Sequence, residues 1–207
     1  ADLPEFSGLG SSSSFAVGLL SALHTFRGER VSAGQLAEEA SRIEVEVLKR
    51  PIGKQDHYAA AFGGLNYFSF LPDGRVTVEP QRLPGGTLEG LFDHILMLWT
   101  GIQRDAGTVL REQNDRMGNT RALLQEMRGH AQQLTQLMSN GFDPAAFGRI
   151  LDETWQLKRR LSSTITNERI DGWYEHAKQA GAIGGKICGA GGGGFLLLVA
   201  SPERRQA

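Results

Sequence analysis

Hydrophobic and polar positions repeat with a helical period along most of this chain and with a strand pattern in shorter stretches. The helical period predicts helices over residues 15–23, 32–48, 108–138, 145–161 and 168–180, and a short helix that ends near residues 62–64. Strand-like runs cover residues 65–71, 75–79, 95–100 and 195–200. This mixture predicts an α+β fold of two domains, residues 1–104 and 105–207, and we find no internal repeat.

The first predicted helix differs from the others because residues 15–23 are apolar on almost every side. A helix of this kind is expected to be buried. Gly28 is placed to cap its C-terminal end. The second helix opens at Ser32, with Gln35 three residues later, in the positions of a capping box.

Turn residues define the strands. Residues 72–74, Pro-Asp-Gly, separate two strand-like runs and predict a hairpin. The apolar run 95–100 predicts a central strand, and the C-terminal part of the chain reads as a short strand, a run of glycines and a final strand. The apolar residues Trp155, Leu157 and Leu161 are expected to fill the core.

Composition excludes several classes of protein. Of 207 residues 40% are hydrophobic, and 22 Lys and Arg balance 23 Asp and Glu, so a disordered chain and a dedicated nucleic-acid binder are both disfavoured. Cys188 is the single cysteine, which fits a reducing compartment. Neither a leader nor an apolar run long enough for a membrane span is evident, so we expect a cytoplasmic protein without membrane or nucleic-acid partners.

Residues 8–13 form the first candidate site, Gly-Leu-Gly-Ser-Ser-Ser directly before a helix. Glycines allow close backbone approach, and the unpaired N–H groups of a helix start suit a phosphate. Serine hydroxyls can add hydrogen bonds or bind Mg²⁺. The alternative is a serine N-cap after a flexible loop. The segment is not a Walker A loop, because no Gly-Lys-Ser or Gly-Lys-Thr follows.

Residues 189–194, Gly-Ala-Gly-Gly-Gly-Gly, are the second candidate. They match a dinucleotide fingerprint in letters only, since a strand-like run follows where that motif needs a helix. Apolar segments on both sides also argue against a linker. We therefore predict a glycine turn between two strands, packed against another backbone or a ligand.

Among the acids, Glu44 stands out because helical spacing places it within an apolar stripe. A carboxylate in that position needs a partner or a metal, and a plain ion pair with an arginine is the alternative. Other glutamates of this helix fall on a face expected to be solvated; they are Glu38, Glu39 and Glu46. Asp56 precedes a short helix, where it either caps the helix or orients and deprotonates a substrate hydroxyl.

Histidine and cysteine offer weaker candidates. The five histidines, His24, His57, His94, His130 and His176, show no metal-ligand spacing, and Cys188 has no second cysteine to complete a zinc site.

Taken in order, three motifs resemble the galactokinase, homoserine kinase, mevalonate kinase and phosphomevalonate kinase (GHMP) superfamily. They are residues 8–13, residues 52–64 with the sequence Ile-Gly-Lys-Gln-Asp-His-Tyr-Ala-Ala-Ala-Phe-Gly-Gly, and residues 184–195 with Gly-Gly-Lys-Ile-Cys-Gly-Ala-Gly-Gly-Gly-Gly-Phe. The last two are most similar to bacterial heptose 7-phosphate kinases and fucokinase-like sugar kinases. The resemblance covers nearly the whole chain.

The resemblance implies roles for individual residues. The expected ATP-binding residues are Gly8, Leu9, Gly10, Ser11, Ser12, Ser13, Gly189, Gly191, Gly192 and Gly193. Mg²⁺ is expected on Ser12 and Glu44, and Asp56 falls on the catalytic aspartate. Arg104 matches a family stretch without an assigned role. Beside the motifs lie Lys54, Arg104 and Lys186, each of which either anchors a substrate phosphate or is simply solvated at the surface.

Members of the superfamily carry a further segment and a first motif ahead of the glycine-serine loop. We therefore expect this chain to be a fragment, inactive by itself, with an apolar patch on residues 15–23 left uncovered.

The resemblance implies a fold, the rear part of a GHMP N-terminal domain followed by a ferredoxin-like C-terminal domain. It also implies ATP- and Mg²⁺-dependent phosphorylation of a sugar anomeric hydroxyl, with heptose 7-phosphate as the expected acceptor. A kinase of free fucose or galactose, a non-catalytic sugar or nucleotide sensor, and a folding-incompetent remnant are the alternatives. Retention of both Glu44 and Asp56 argues against a sensor.

Overall fold

A computed structural model describes residues 8–103 and 106–204 and confirms the α+β class. The helices are α1 Ser11–Phe26, α2 Ala33–Arg42, α3 Gln55–Phe62, α4 Thr87–His94, α5 Ala106–Asp115, α6 Met117–Ser139, α7 Pro144–Lys158 and α8 Glu168–Gln179. The strands are β1 Asn66–Phe70, β2 Val76–Pro80, β3 Ile95–Trp99, β4 Gly184–Ile187 and β5 Phe195–Val199. Among these residues one compact unit holds 10–81, and a second holds 8–9, 82–103 and 106–204.

The first unit packs α1, α2 and α3 together beside a two-stranded sheet. Strands β1 and β2 pair antiparallel around the predicted turn, so the hairpin is confirmed. Tyr58 of α3 is buried and stands edge-on to Phe68 and Phe70 of β1. These aromatic contacts fasten the hairpin to the helix that carries Asp56.

Helix α1 forms as predicted, but the prediction that it is buried is wrong for this structure. Within the described residues only Ser13 and Val17 of α1 are buried. The other face carries large exposed side chains that recur at helical spacing; they are Phe15, Leu19, Leu23 and Phe26. The apolar patch expected on this helix is therefore present.

Helix α2 begins as predicted and ends differently. The Ser32 hydroxyl accepts from the Gln35 backbone N–H at 3.1 Å, but the Gln35 side chain donates to Glu39 instead of completing a capping box. After Arg42 the chain makes a π-helical turn, Ile43–Val47, in which the Leu48 N–H donates to the Ile43 carbonyl. The wider turn changes the helical phase, so Ile43 and Val47 are exposed where a regular helix would bury them.

The second unit is built on a three-stranded antiparallel sheet of order β3-β5-β4. The strand β3, predicted to be central, lies at an edge, because the apolar strand β5 pairs on both of its sides. Helix α7 packs on β4 and β5. The core contains Trp155 and Leu161, with Leu157 also buried, as predicted.

Three further differences concern helices of the second unit. Helix α4 has no counterpart in the sequence prediction, and the predicted helix 108–138 is two helices, α5 and α6. Helices α7 and α8 match within a few residues. The domain boundary near residue 104 stays a prediction, and Arg104 itself lies outside the described residues. No helix in the described ranges combines the length and the apolar character that a membrane crossing requires.

Candidate functional site

The carboxylate of Glu44 is the centre of a polar cluster inside the first unit. Glu44 is only 4% exposed, and its Oε1 accepts hydrogen bonds from Ser12 and from Arg50, the latter at 2.8 Å. Its Oε2 accepts from His57 Nε2 at 2.7 Å and from Ser13 at 3.4 Å. The predicted pair of Ser12 and Glu44 is thus in contact, and so is the arginine that the simpler interpretation of Glu44 requires.

These partners control the ionisation of Glu44. Burial alone would raise the pKa of this carboxyl, but hydrogen bonds from Ser12 and His57, with the Arg50 charge adding, bring it below its ordinary value. Glu44 is therefore an anion at neutral pH. A buried anion next to two serine hydroxyls attracts a cation.

The serines face Glu44 because of how α1 begins. Gly10, with φ 69°, is the N-cap, and no side chain caps the helix, so the serine N-cap alternative is wrong. Ser14 N–H already donates to the Gly10 carbonyl, whereas the N–H groups of Ser11, Ser12 and Ser13 precede the first helical hydrogen bond. The helix start therefore leaves backbone donors and a positive dipole end for an anion.

Asp56 lies in the first turn of α3, beside the start of α1. A β-carbon on Gly10 would lie 3.3 Å from Asp56 Cβ, so only a glycine allows this approach without displacement. The N-cap of α3 is Lys54 and no side chain caps that helix, so the capping alternative for Asp56 is wrong too.

Partial desolvation raises the pKa of the Asp56 carboxyl, with Glu44 adding to the shift and His57 opposing it. A carboxylate with a raised pKa is a better proton acceptor than an ordinary aspartate. Asp56 is nevertheless exposed to solvent, so a substrate can reach its carboxylate.

Sequence analysis missed Arg50 and His57, which complete the cluster. Arg50 also donates to the Ser12 hydroxyl at 3.0 Å. His57 is fully buried, and its Nδ1 has no partner within the described part of the chain. No periodic pattern links either residue to Glu44, because the contacts depend on how the π-helical turn and α3 meet.

The oxygens at this cluster suit a magnesium ion. Mg²⁺ prefers hard oxygen ligands and is usually held by one or two carboxylates together with substrate phosphates. Ser12 and Glu44 supply such oxygens, and the Arg50 guanidinium already places positive charge on the same Glu44 oxygen. Within the described residues, no group of three or more His, Cys, Asp or Glu side chains is arranged to hold a metal ion by itself.

The glycine loop, residues 189–194, connects β4 and β5 in the second unit, as predicted. Gly192 N–H donates to the Ile165 carbonyl at 2.6 Å and Gly194 N–H to the Ile102 carbonyl at 2.9 Å. A β-carbon on Gly193 would lie 2.5 Å from the Ile102 carbonyl oxygen. The loop is thus packed tightly on other backbone, which is one of the two predicted reasons for its glycines.

The glycine loop also contacts Gly8, the first described residue of the other predicted motif. A β-carbon on Gly189 would lie 2.9 Å from the Gly8 carbonyl oxygen, and one on Gly8 would lie 3.0 Å from the Cys188 carbonyl oxygen. Both glycines have positive φ. Gly8 and Gly189 therefore approach each other closely through backbone atoms.

Among the lysines expected to anchor a substrate phosphate and the glutamates expected to be solvated, some have partners that the sequence did not predict. Lys54 donates to Glu38, which also accepts from Tyr58, and Glu39 accepts from His24 at 2.7 Å. Glu38 is exposed, as predicted for a solvated face, although it has these partners, whereas Glu39 is half-buried and the prediction is wrong for it. Lys186, half-buried in β4, makes no such ion pair within the described residues.

Comparisons with known proteins show similarity to one family of kinases. The family described as GHMP kinases N terminal domain matches residues 1–64, and GHMP kinases C terminal matches residues 131–207. A D-glycero-alpha-D-manno-heptose 7-phosphate kinase of Campylobacter jejuni is 30% identical over 99% of this chain and 61% of its own length. An L-fucokinase/L-fucose-1-P guanylyltransferase of Bacteroides fragilis is 29% identical over 97% of this chain and 21% of its own length.

Solved structures show the same fold. The crystal structure of a D-glycero-D-manno-heptose 1-phosphate kinase from Bacteroides thetaiotaomicron aligns with a TM-score of 0.73 and 28% identity, covering 99% of this chain and 56% of that one. This chain therefore spans about three fifths of the heptose phosphate kinases that it matches.

Proposed function

Because this chain belongs to the GHMP kinase family, we propose that it transfers the γ-phosphoryl group of ATP to the anomeric hydroxyl of a sugar, with heptose 7-phosphate as the acceptor. The observation that carries the proposal is the cluster in the first unit. There the start of α1, the buried Glu44 and the raised-pKa Asp56 lie around Gly10 and the serines.

In this proposal the start of α1 binds phosphate. The N–H groups of Ser11, Ser12 and Ser13, which precede the first helical hydrogen bond, and the positive end of the helix dipole would bind an anion at that end. Binding at this end holds the phosphoryl group without breaking any hydrogen bond of the helix. Positioning and charge neutralisation supply most of the rate in phosphoryl transfer.

Ser12 and Glu44 are the residues that would hold Mg²⁺. When bound, this ion neutralises the negative charge that phosphate oxygens carry during transfer. Glu44 is ionised and buried, and Ser13 and His57 fix its second oxygen, so its first oxygen is held in one orientation.

Asp56 would orient the acceptor hydroxyl and take its proton. Its carboxylate accepts no hydrogen bond from another described side chain, so both oxygens are available to a substrate, and its raised pKa favours proton acceptance.

Heptose 7-phosphate is supported as the acceptor because a heptose 7-phosphate kinase is 30% identical to this chain, whereas the matched galactokinases of Pyrococcus furiosus and Mycobacterium bovis are 24% and 26% identical. A substrate phosphate needs a cationic anchor separate from the groups that bind ATP. Lys54 lies in the same unit as Asp56, but it is already paired with Glu38 at 2.9 Å. We further propose a cytoplasmic enzyme acting on small molecules, with neither nucleic acid nor a membrane as its substrate.

The test is a substrate panel with the natural gene product, ATP and Mg²⁺. We expect kcat/KM to be highest for heptose 7-phosphate compared with fucose and galactose. Preference for a free sugar would contradict the heptose assignment and leave the sugar kinase standing. Nucleotide binding without transfer to any of the three would favour the sensor alternative.

A further inference from the structure

Lys158, the last residue of α7, is a buried cation that the proposed mechanism does not use. It is 8% exposed, and its ammonium donates a hydrogen bond to the carbonyl of Gly189, the first residue of the glycine loop. No carboxylate pairs with it among the described residues. A buried charge without a counter-ion lowers stability, so a methionine of similar length would serve the core better.

The position of Gly189 shows which part of the glycine loop the Lys158 ammonium holds. Gly189, at φ 64°, packs directly on Gly8. Further along the loop, Gly192 and Gly194 bond to the Ile165 and Ile102 carbonyls. The Lys158 bond therefore fixes the end of the loop that meets Gly8, whereas backbone contacts fix the other end.

We propose that Lys158 is a positioning residue: its ammonium holds the Gly189 carbonyl, and through it the conformation of the glycine loop and the backbone surface against which Gly8 packs. The inference deepens the proposed function, on which it rests, since it assigns control of a phosphate-site segment to a residue outside the three motifs. The charge of Lys158 at the C-terminal end of α7 is also favourable to that helix.

The surroundings of Lys158 make this anchor sensitive to pH. Burial lowers the pKa of Lys158 to about 7, with the charge of Lys186 in β4 adding to the effect. Burial raises the pKa of the Cys188 thiol, so Cys188 is neutral and cannot compensate the ammonium. Strand β5 has no titratable side chain, and His130 of α6 is engaged with Thr154. The anchor is therefore charged below a pH of about 7 and weakens above it.

Hydrogen exchange of the amide that leads into the glycine loop, in the natural gene product, tests the proposal without relying on activity. At about pH 6, Lys158→Met is expected to lower roughly tenfold the protection of the Cys188 amide, which precedes Gly189 and donates to the Phe195 carbonyl at 2.9 Å, while the melting temperature stays the same or rises. Wild-type protection, corrected for intrinsic exchange, should fall between about pH 6 and about pH 8. Lys158→Arg should keep its protection over that range, because the guanidinium stays charged.

Lys178→Met is the matched control, because Lys178 also donates to a backbone carbonyl, that of Ile183, but lies away from the glycine loop. It should lose stability and keep wild-type protection of the Cys188 amide. If the Cys188 amide of Lys158→Met were as well protected as that of wild type at about pH 6, the proposal would be overturned.

Kinetics separate this inference from the proposed function. Lys158→Met should lower kcat/KM for ATP roughly tenfold or more at about pH 6, and the difference from wild type should shrink as pH rises. If Lys158→Met lost protection of the Cys188 amide but kept the wild-type kcat/KM for ATP, the positioning role would be refuted and the proposed kinase activity would stand. A wild-type protein that transfers no phosphoryl group would refute the proposed function, while the exchange data would still decide whether Lys158 anchors the loop.

Discussion

Arg50 donates a 2.8 Å hydrogen bond to the same Glu44 oxygen that accepts from Ser12. Its side chain is 51% exposed, whereas that of Glu44 is 5% exposed, so the pair joins an exposed cation to a buried anion. The guanidinium therefore competes for the Glu44 oxygen that we propose as a Mg²⁺ ligand.

We therefore predict that Arg50→Met tightens Mg²⁺ binding. Removing the competing cation should lower the Mg²⁺ concentration at half-saturation about two- to fivefold, the size expected for a partly exposed ion pair. Calorimetric titration with a non-hydrolysable ATP analogue measures this. Arg27→Met is the control, because Arg27 pairs with Glu29 at the same 2.8 Å on the exposed surface. Weaker Mg²⁺ binding in Arg50→Met would show that Arg50 assists the phosphates instead.

Glu44→Gln should reduce stability in a pH-dependent way. The folded-state pKa of Glu44 lies below its ordinary 4.5, so its ionised form stabilises the fold above that pH and the contribution is lost as the pH falls below it. At neutral pH we expect the free energy of unfolding to fall by ~1–3 kcal/mol, because His57 loses a charged acceptor. Denaturant unfolding at several pH values checks this. A difference between the two proteins that does not shrink in acid would contradict the assignment.

Gly10→Ala should impair catalysis more than it impairs folding. The new β-carbon would lie 3.3 Å from Asp56 Cβ and displace it. Gly28→Ala is a closely matched control, because Gly28 has a similar φ of 72° but no atom within 4 Å of an added β-carbon. Both variants should lose ~1–2 kcal/mol of stability from left-handed backbone strain, but only Gly10→Ala should lower kcat. Equal kcat values would show that Asp56 tolerates the shift.

Gly193→Val should abolish activity, because its β-carbon would lie 2.5 Å from the Ile102 carbonyl oxygen. Gly85→Val provides the comparison, since Gly85 lies in a loop with open space around its α-carbon. Steady-state kinetics of both variants, with melting temperatures, test this. Normal kcat/KM in Gly193→Val would mean that the glycine loop is only a connector.

Local patterns predicted most of the fold, and long-range contacts account for the errors. The hairpin and helices α7 and α8 follow from turn residues and periodicity. The edge position of β3 depends on β5, which is distant in sequence and pairs with β4 as well. The sequence near β3 does not indicate which strands pair with β5. Helix α4 escaped prediction because it is only eight residues long and follows a Pro-Gly-Gly segment.

In the candidate site, too, local sequence patterns identified some residues and tertiary contacts brought in the others. Glu44 could be found because a carboxylate in an apolar stripe is unusual, although the π-helical turn moves its neighbours Ile43 and Val47 to the surface. Arg50 and His57 could not be found, since each reaches Glu44 through tertiary packing.

The most direct test of the account is phosphoryl transfer from ATP to heptose 7-phosphate by wild type and Asp56→Asn, measured together with ATP affinity and melting temperature. Asp56 caps no helix and faces the start of α1, so its loss should affect the acceptor alone. We predict that kcat falls by at least ~10², with ATP affinity and melting temperature unchanged. Intact turnover in Asp56→Asn, accompanied by a lower melting temperature, would show that Asp56 is structural and would contradict the account.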